Sequence, residues 1–195
     1  MGDGGVRYGM SGIANAVDLT LCGLLAGILW LSVITGPVAA QAVPKTVTDQ
    51  AIALSDTALK DFAKGNPAAI FARFDRQMKR GVSAGQFAAS MKQQAAQFGA
   101  IATARSHAVT VYRGPELLLA VDFSGKTSKA VAVCGFFVWS GADKRDFMIR
   151  RVEMNYLPPA LIKEMGARNA ASLMAQFRCP PGLIRDLTGV VVTGN

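Results

Sequence analysis

Histidine, cysteine and the larger aromatics are scarce in this chain of 195 residues, which has one His, three Cys, two Trp and three Tyr. One histidine cannot build an ordinary zinc site without help from Cys or carboxylates, and no cluster supplies it. There is no C-x-x-C pair, phosphate-binding glycine loop, nucleophile elbow, EF-hand loop or heptad series, so no metal or cofactor is expected. No internal repeat is visible. Acidic residues are also few, with 13 Asp+Glu against 21 Lys+Arg and a net charge of +8. Only one apolar run is long enough to span a bilayer, which excludes a polytopic membrane protein. A hydrophobic fraction of 51% excludes a disordered chain, and the length suits one domain.

That run is LTLCGLLAGILWLSVITG, Leu19 to Gly36, followed by helix-ending Pro37. Ala40 and Ala42 form the small-x-small pattern that a signal peptidase accepts, so residues 1–42 read as a secretory signal peptide cut after Ala42, or alternatively after Ala40. The competing reading is a single retained N-terminal membrane anchor, because the n-region carries Arg7 but also Asp3 and Asp18. Either way residues 43–195 are expected outside the cytoplasm, in the periplasm or cell envelope. Cys22 follows Leu21 near the start of the run, which does not fit a lipobox. Without Arg7, Asp3 and Asp18 the remainder holds 20 basic and 11 acidic residues, a net charge of +9 over 153 residues.

Export leaves two cysteines, Cys134 and Cys179. An even pair in an oxidising compartment suggests a disulfide, and the alternative is two buried thiols. Closing such a loop stabilises by about 4 kcal/mol on chain entropy.

The exported part divides into a domain at 43–156 and a C-terminal helix and tail at 157–195. Ala51, Leu54, Ala58, Leu59 and Phe62 recur near helical spacing, predicting a helix from about Thr48 to Lys64 that ends at Gly65. Asn66-Pro67 opens a second helix, with Ile70, Phe71, Phe74 and Met78 on its apolar face, running to Gly81. Ser83-x-x-Gln86 is a capping box for a third, with Phe87, Met91 and Phe98 on one side and Gly99 at its end. Four strands are expected at about 103–113, 116–124, 129–139 and 145–156, separated by short polar turns. The apolar spacing of the last slips at Arg150-Arg151, which predicts a bulge. Short turns imply an antiparallel meander. The fold class is therefore α+β: N-terminal helices packed on a four-stranded antiparallel sheet, cone-like, with a C-terminal helical extension over about 160–177.

The segments ALKDFAKGNPAAIFARFD, SAGQFAASMKQQAAQFGAI and FMIRRVEMNY resemble those of small exported bacterial domains of unknown function. The resemblance covers about residues 47–156. It implies a cone fold like nuclear transport factor 2 and ketosteroid isomerase, or the related cystatin-like fold. It carries over no catalytic residue.

Asp122 alternates with apolar residues in the second strand; pointing inward, it could act as a general base, with Tyr112, Tyr156 and Trp139 lining a pocket. Facing outward, it would meet solvent or pair with Arg105 or Arg113. His107 lies in the first strand as an edge histidine or a second catalytic candidate. Lys144, Arg145, Arg150 and Arg151 form a basic patch suited to anionic lipid or an acidic protein, and Arg73, Arg76, Lys79 and Arg80 a second one. Nucleic acid is not expected as a partner after export. The leading expectation is a non-enzymatic exported domain that binds a protein partner or small ligand, including as an accessory subunit of a membrane complex. The alternative is a ketosteroid-isomerase-like pocket enzyme; a third is an interaction module forming homo-oligomers through its sheet.

Overall fold

The computed structural model describes residues 43–142, 146–180 and 182–183. The apolar run, its cleavage signal and the residues Lys144 and Arg145 lie outside the described residues. Among those described, no helix is long and apolar enough to cross a membrane.

Four helices come first: α1 (Lys45–Ala63), α2 (Pro67–Ala72), α3 (Arg76–Gly81) and α4 (Ala84–Phe98). Each later start is fixed by a side chain that accepts an orphan backbone N–H, as helix ends require. Asn66 Oδ1 accepts from Ala69 at 3.3 Å, Asp75 Oδ1 from Met78 at 2.8 Å, and Ser83 Oγ from Gln86 at 3.3 Å. Ser83 N–H in turn donates to Gln86 Oε1 at 2.9 Å, completing the capping box.

The single helix expected from Pro67 to Gly81 is two. At Phe74 the backbone leaves helical geometry and forms a parallel bridge to Ile149. Ile149 N–H donates to the Arg73 carbonyl at 2.7 Å, and Asp75 N–H to the Ile149 carbonyl at 2.9 Å. The break buries Phe74 completely and pairs the backbone of Ile149 at the start of the last strand's free edge.

The sheet follows as β1 (Ile101–Tyr112), β2 (Leu118–Thr127), β3 (Ala132–Ser140) and β4 (Met148–Leu157), antiparallel in the order β1-β2-β3-β4. Arg150 has no partner between Val138↔Arg151 and Trp139↔Ile149, so it is the bulged residue that the spacing predicted. β1 carries two further bulges, at Ala102 and His107. β2 runs three residues further than expected, because Thr127 Oγ1 accepts from the Lys129 and Val131 amides at 3.3 and 3.2 Å and organises the turn one step later. Gly135 is required inside β3: a Cβ there would stand 1.8 Å from the Glu153 carbonyl oxygen, and the Phe123 ring fills the space instead.

Residues alternate between the two faces of the sheet. One face presents Leu119, Val121, Phe123, Val133, Phe137, Trp139 and Ile149 to Ala58, Leu59 and Phe62 of α1, Ile70 of α2 and Phe74. Each large apolar side chain buried there stabilises by roughly 1.5–3 kcal/mol. The Trp139 indole, fully buried, donates to Ser55 Oγ at 2.7 Å, and that hydroxyl donates to the Ala51 carbonyl at 2.8 Å.

The C-terminal segment is more than an appendage. α5 (Pro159–Gln176), kinked at Gly166 where φ is 73°, turns back under the opposite face. Ile162, Ala170, Met174 and Cys179 pack there on Ala132, Cys134 and Leu157. Helices therefore lie on both faces of the sheet. A disulfide joins Cys134 of β3 to Cys179, with the Cα atoms 5.3 Å apart.

Candidate functional site

The sheet register decides where the candidate residues point. Asp122 pairs across the ladder with Ala108 and Phe136, on the face turned away from α1 and α4. It is therefore outside the core that α1 and α2 cover and is not an inward base there. Neither Arg105 nor Arg113 is the cation it meets. Arg178, on the turn after α5, donates from Nη1 to Asp122 Oδ1 at 2.7 Å and from Nη2 to the Tyr112 hydroxyl at 3.2 Å. Its guanidinium also stacks 4.7 Å from the Phe136 ring centroid. Arg178 takes a φ of 57°, a left-handed conformation that costs a non-glycine residue roughly 1–2 kcal/mol. The hydrogen bond to Asp122, then that to Tyr112, hold its guanidinium above the ordinary arginine pKa, against a smaller effect of burial. Together with the adjacent disulfide, this clamp fixes the tail on the outer face.

His107 is exposed, at the β1 bulge between Ser106 and Ala108. The bulge is held from the other side by α1, where Asp56 Oδ1 accepts the Ser106 N–H at 2.9 Å. The Ser106 hydroxyl itself is buried with no partner. Asp122, His107 and Cys134 thus form no catalytic constellation. Among the described residues there is no group of three His, Cys, Asp or Glu side chains able to hold a metal ion.

The two described members of the basic patch are already engaged. Arg150 donates to Asp75, the α3 cap, and at 2.8 Å to Glu116 in the β1–β2 loop. The Asp75 hydrogen bond is the main reason its pKa is raised, with Glu116 contributing and burial opposing. Arg151 pairs with Glu153 at 2.7 Å and lies 5.3 Å from the Phe136 ring centroid. On α3, Lys79 Nζ donates to the Ala72 carbonyl at 3.1 Å, completing the end of α2.

A feature that sequence reasoning missed is an apolar groove of about 390 Å³. One wall is α4, through Ala88, Met91, Gln94 and Ala95; the floor is Phe62 and Ile101, and the far wall is Tyr156 on β4. Lys92 stands on its lining. The walls are braced. The Phe98 and Tyr156 rings stack with centroids 4.6 Å apart, and Tyr156 donates to Gln94 Oε1 at 3.3 Å. Lys129, on the β2–β3 turn, donates to the Ala96 carbonyl at 2.8 Å and Thr127 Oγ1 to the Phe98 carbonyl at 2.6 Å, so the sheet satisfies the orphan carbonyls of α4. Burial raises the Tyr156 pKa above its ordinary 10.0, keeping the phenol neutral as a hydrogen-bonding group. The signals in the sequence were Tyr156, expected to line a pocket with Asp122, and the helical spacing around Met91, which marks core and groove wall alike.

No family model matches the chain, and neither a curated protein nor a solved structure matches it, so its own geometry carries the functional reading.

Proposed function

We propose that this chain is an exported, non-enzymatic protein of the periplasm or cell envelope that binds a small, mainly apolar ligand in the groove between α4 and Tyr156. The groove is the observation that carries the reading. Its volume of about 390 Å³ lies within the roughly 300–1,000 Å³ typical of small-ligand sites. Its make-up, apolar walls with the few polar groups of Tyr156, Gln94 and Lys92, is the pattern that such sites use to fix orientation. Export is supported by the apolar run Leu19–Gly36 with the Ala40-x-Ala42 pattern after it, and by the Cys134–Cys179 disulfide, since such bonds persist in oxidising compartments. The order of helices followed by a four-stranded antiparallel meander supports a cone-like architecture related to nuclear transport factor 2.

The test uses the neutral fluorescent probe N-phenyl-1-naphthylamine. The expected result is saturable binding with one site per chain, lost in Ala95→Trp, which fills the groove from the α4 wall. Circular dichroism melts of the variant should match those of the parent chain. Equal binding by parent and variant would overturn the groove as the site. Intact mass from the envelope fraction should begin at Val43 and show two hydrogens fewer than the reduced chain.

A further inference from the structure

A second recess, of about 360 Å³, opens on the outer face of the sheet between β1, β2 and the turn after α5. Its lining differs in chemistry from the apolar groove. Thr103 and Arg105 come from β1, Ser124 and Lys126 from β2, and Pro180 and Leu183 wall it from the tail. The register sets Thr103 opposite Lys126 and Arg105 opposite Ser124. Each cation thus faces a hydroxyl, and the two cations sit on a diagonal, the arrangement that keeps like charges from lying directly opposite each other.

Among the described residues, Arg105 and Lys126 make no ion pair, and the hydroxyls of Thr103 and Ser124 make no hydrogen bond. Ser124 is nonetheless only 7% exposed, at the floor of the recess. Among the described residues no carboxylate lines the recess, and Asp122, the nearest acid along β2, is taken by Arg178. Two uncompensated cations beside two unused hydroxyls form a donor set for an anion with several acceptor oxygens. The tail wall is held by the Cys134–Cys179 bond and the Arg178 clamp, so the recess is pre-organised rather than assembled on binding.

We propose that this recess is a binding site for a phosphate group, with the Arg105 guanidinium and the Lys126 ammonium on its charge and the Thr103 and Ser124 hydroxyls on its remaining oxygens. The group can belong to a free phosphate or to a lipid headgroup, and the experiment separates the two sources. The chain as isolated from the envelope fraction, beginning at Val43, is titrated calorimetrically with inorganic phosphate against sodium chloride of equal ionic strength. In parallel it is tested for flotation with phosphatidylglycerol vesicles and with phosphatidylcholine vesicles carrying no net charge. Saturable heat with phosphate but not chloride identifies a free phosphate. Flotation with phosphatidylglycerol alone identifies a headgroup. In either case the double variant Arg105→Gln, Lys126→Gln weakens binding at least tenfold, Ser124→Ala weakens it less, and Lys60→Gln on α1 leaves it unchanged. The double variant should melt as the parent does. Binding in neither arm overturns the proposal, as does binding that the double variant retains or that Lys60→Gln weakens equally.

Discussion

Ser55→Ala is the sharpest test of how the core is held together. Ser55 and Trp139 are both 0% exposed, and the indole N–H has the Ser55 hydroxyl as its acceptor at 2.7 Å. Removing that hydroxyl strands a buried donor, which costs about 1–3 kcal/mol. Alanine returns a few tenths of a kcal/mol through its better helix propensity in α1. The net loss should be about 1–2 kcal/mol, a fall in Tm of roughly 3–6 °C for a domain of this size. The assay is urea unfolding followed by far-ultraviolet circular dichroism, repeated in a Trp139→Phe background. There the donor is gone, while the Ser55 hydroxyl keeps the Ala51 carbonyl at 2.8 Å as its acceptor. Ser55→Ala should then cost less than about 0.5 kcal/mol, so the cycle isolates the one hydrogen bond. An equal cost in both backgrounds would refute the reasoning and assign the loss to helix packing instead.

Ser106→Ala should do the opposite. It removes a buried hydroxyl that has no partner and so should raise stability by about 1 kcal/mol, readable as a higher urea midpoint at unchanged m. Burial raises the Tyr156 pKa above 10.0, so the folded chain keeps a proton that the unfolded chain has already lost. This contribution to stability is complete below about pH 10 and declines as pH rises from there through the folded value. Absorbance titration should show a tyrosine ionising late, Tyr156→Phe should abolish that phase, and the alkaline loss of stability should flatten with it. Reduction by a trialkylphosphine opens the loop spanned by Cys134 and Cys179, 45 residues apart, and should lower stability by about 4 kcal/mol on the chain-entropy argument. Trypsin should then cut after Arg178, which the clamped tail otherwise shields. Resistance equal to that of the oxidised chain would show that the Arg178 contacts alone hold the tail.

The elements legible in the sequence were those written locally. The capping box at Ser83, the helix start at Asn66-Pro67, the alternation in β2 and the slip at Arg150 each depend on residues within a few positions of one another. The Cys134–Cys179 pairing was legible as well, because only two cysteines remain after residue 42. What escaped depends on long-range packing. The Pro67–Gly81 helix breaks because Phe74 gains a partner in Ile149, 75 residues later, although Asp75 three residues before Met78 was a visible cap. Asp122 meets Arg178 across 56 residues, a pairing that neither strand pattern nor helix period encodes. The groove depends on how α4 docks beside Tyr156, and the recess on where the tail lands.

The outer-face cover formed by α5 and the disulfide sets an order of events during synthesis. All four strands are complete once Leu157 has emerged, and the helix-covered face can already close. The other face, with Ala132, Cys134 and Leu157, stays bare until residues up to Cys179 arrive. A chain stopped in between would hold a finished sheet with one sticky side and an unpaired Cys134 thiol. Such a product is prone to self-association and to mixed disulfides with neighbouring chains. For this protein, about the last fifth of the sequence decides whether the outer face of the sheet before it is covered.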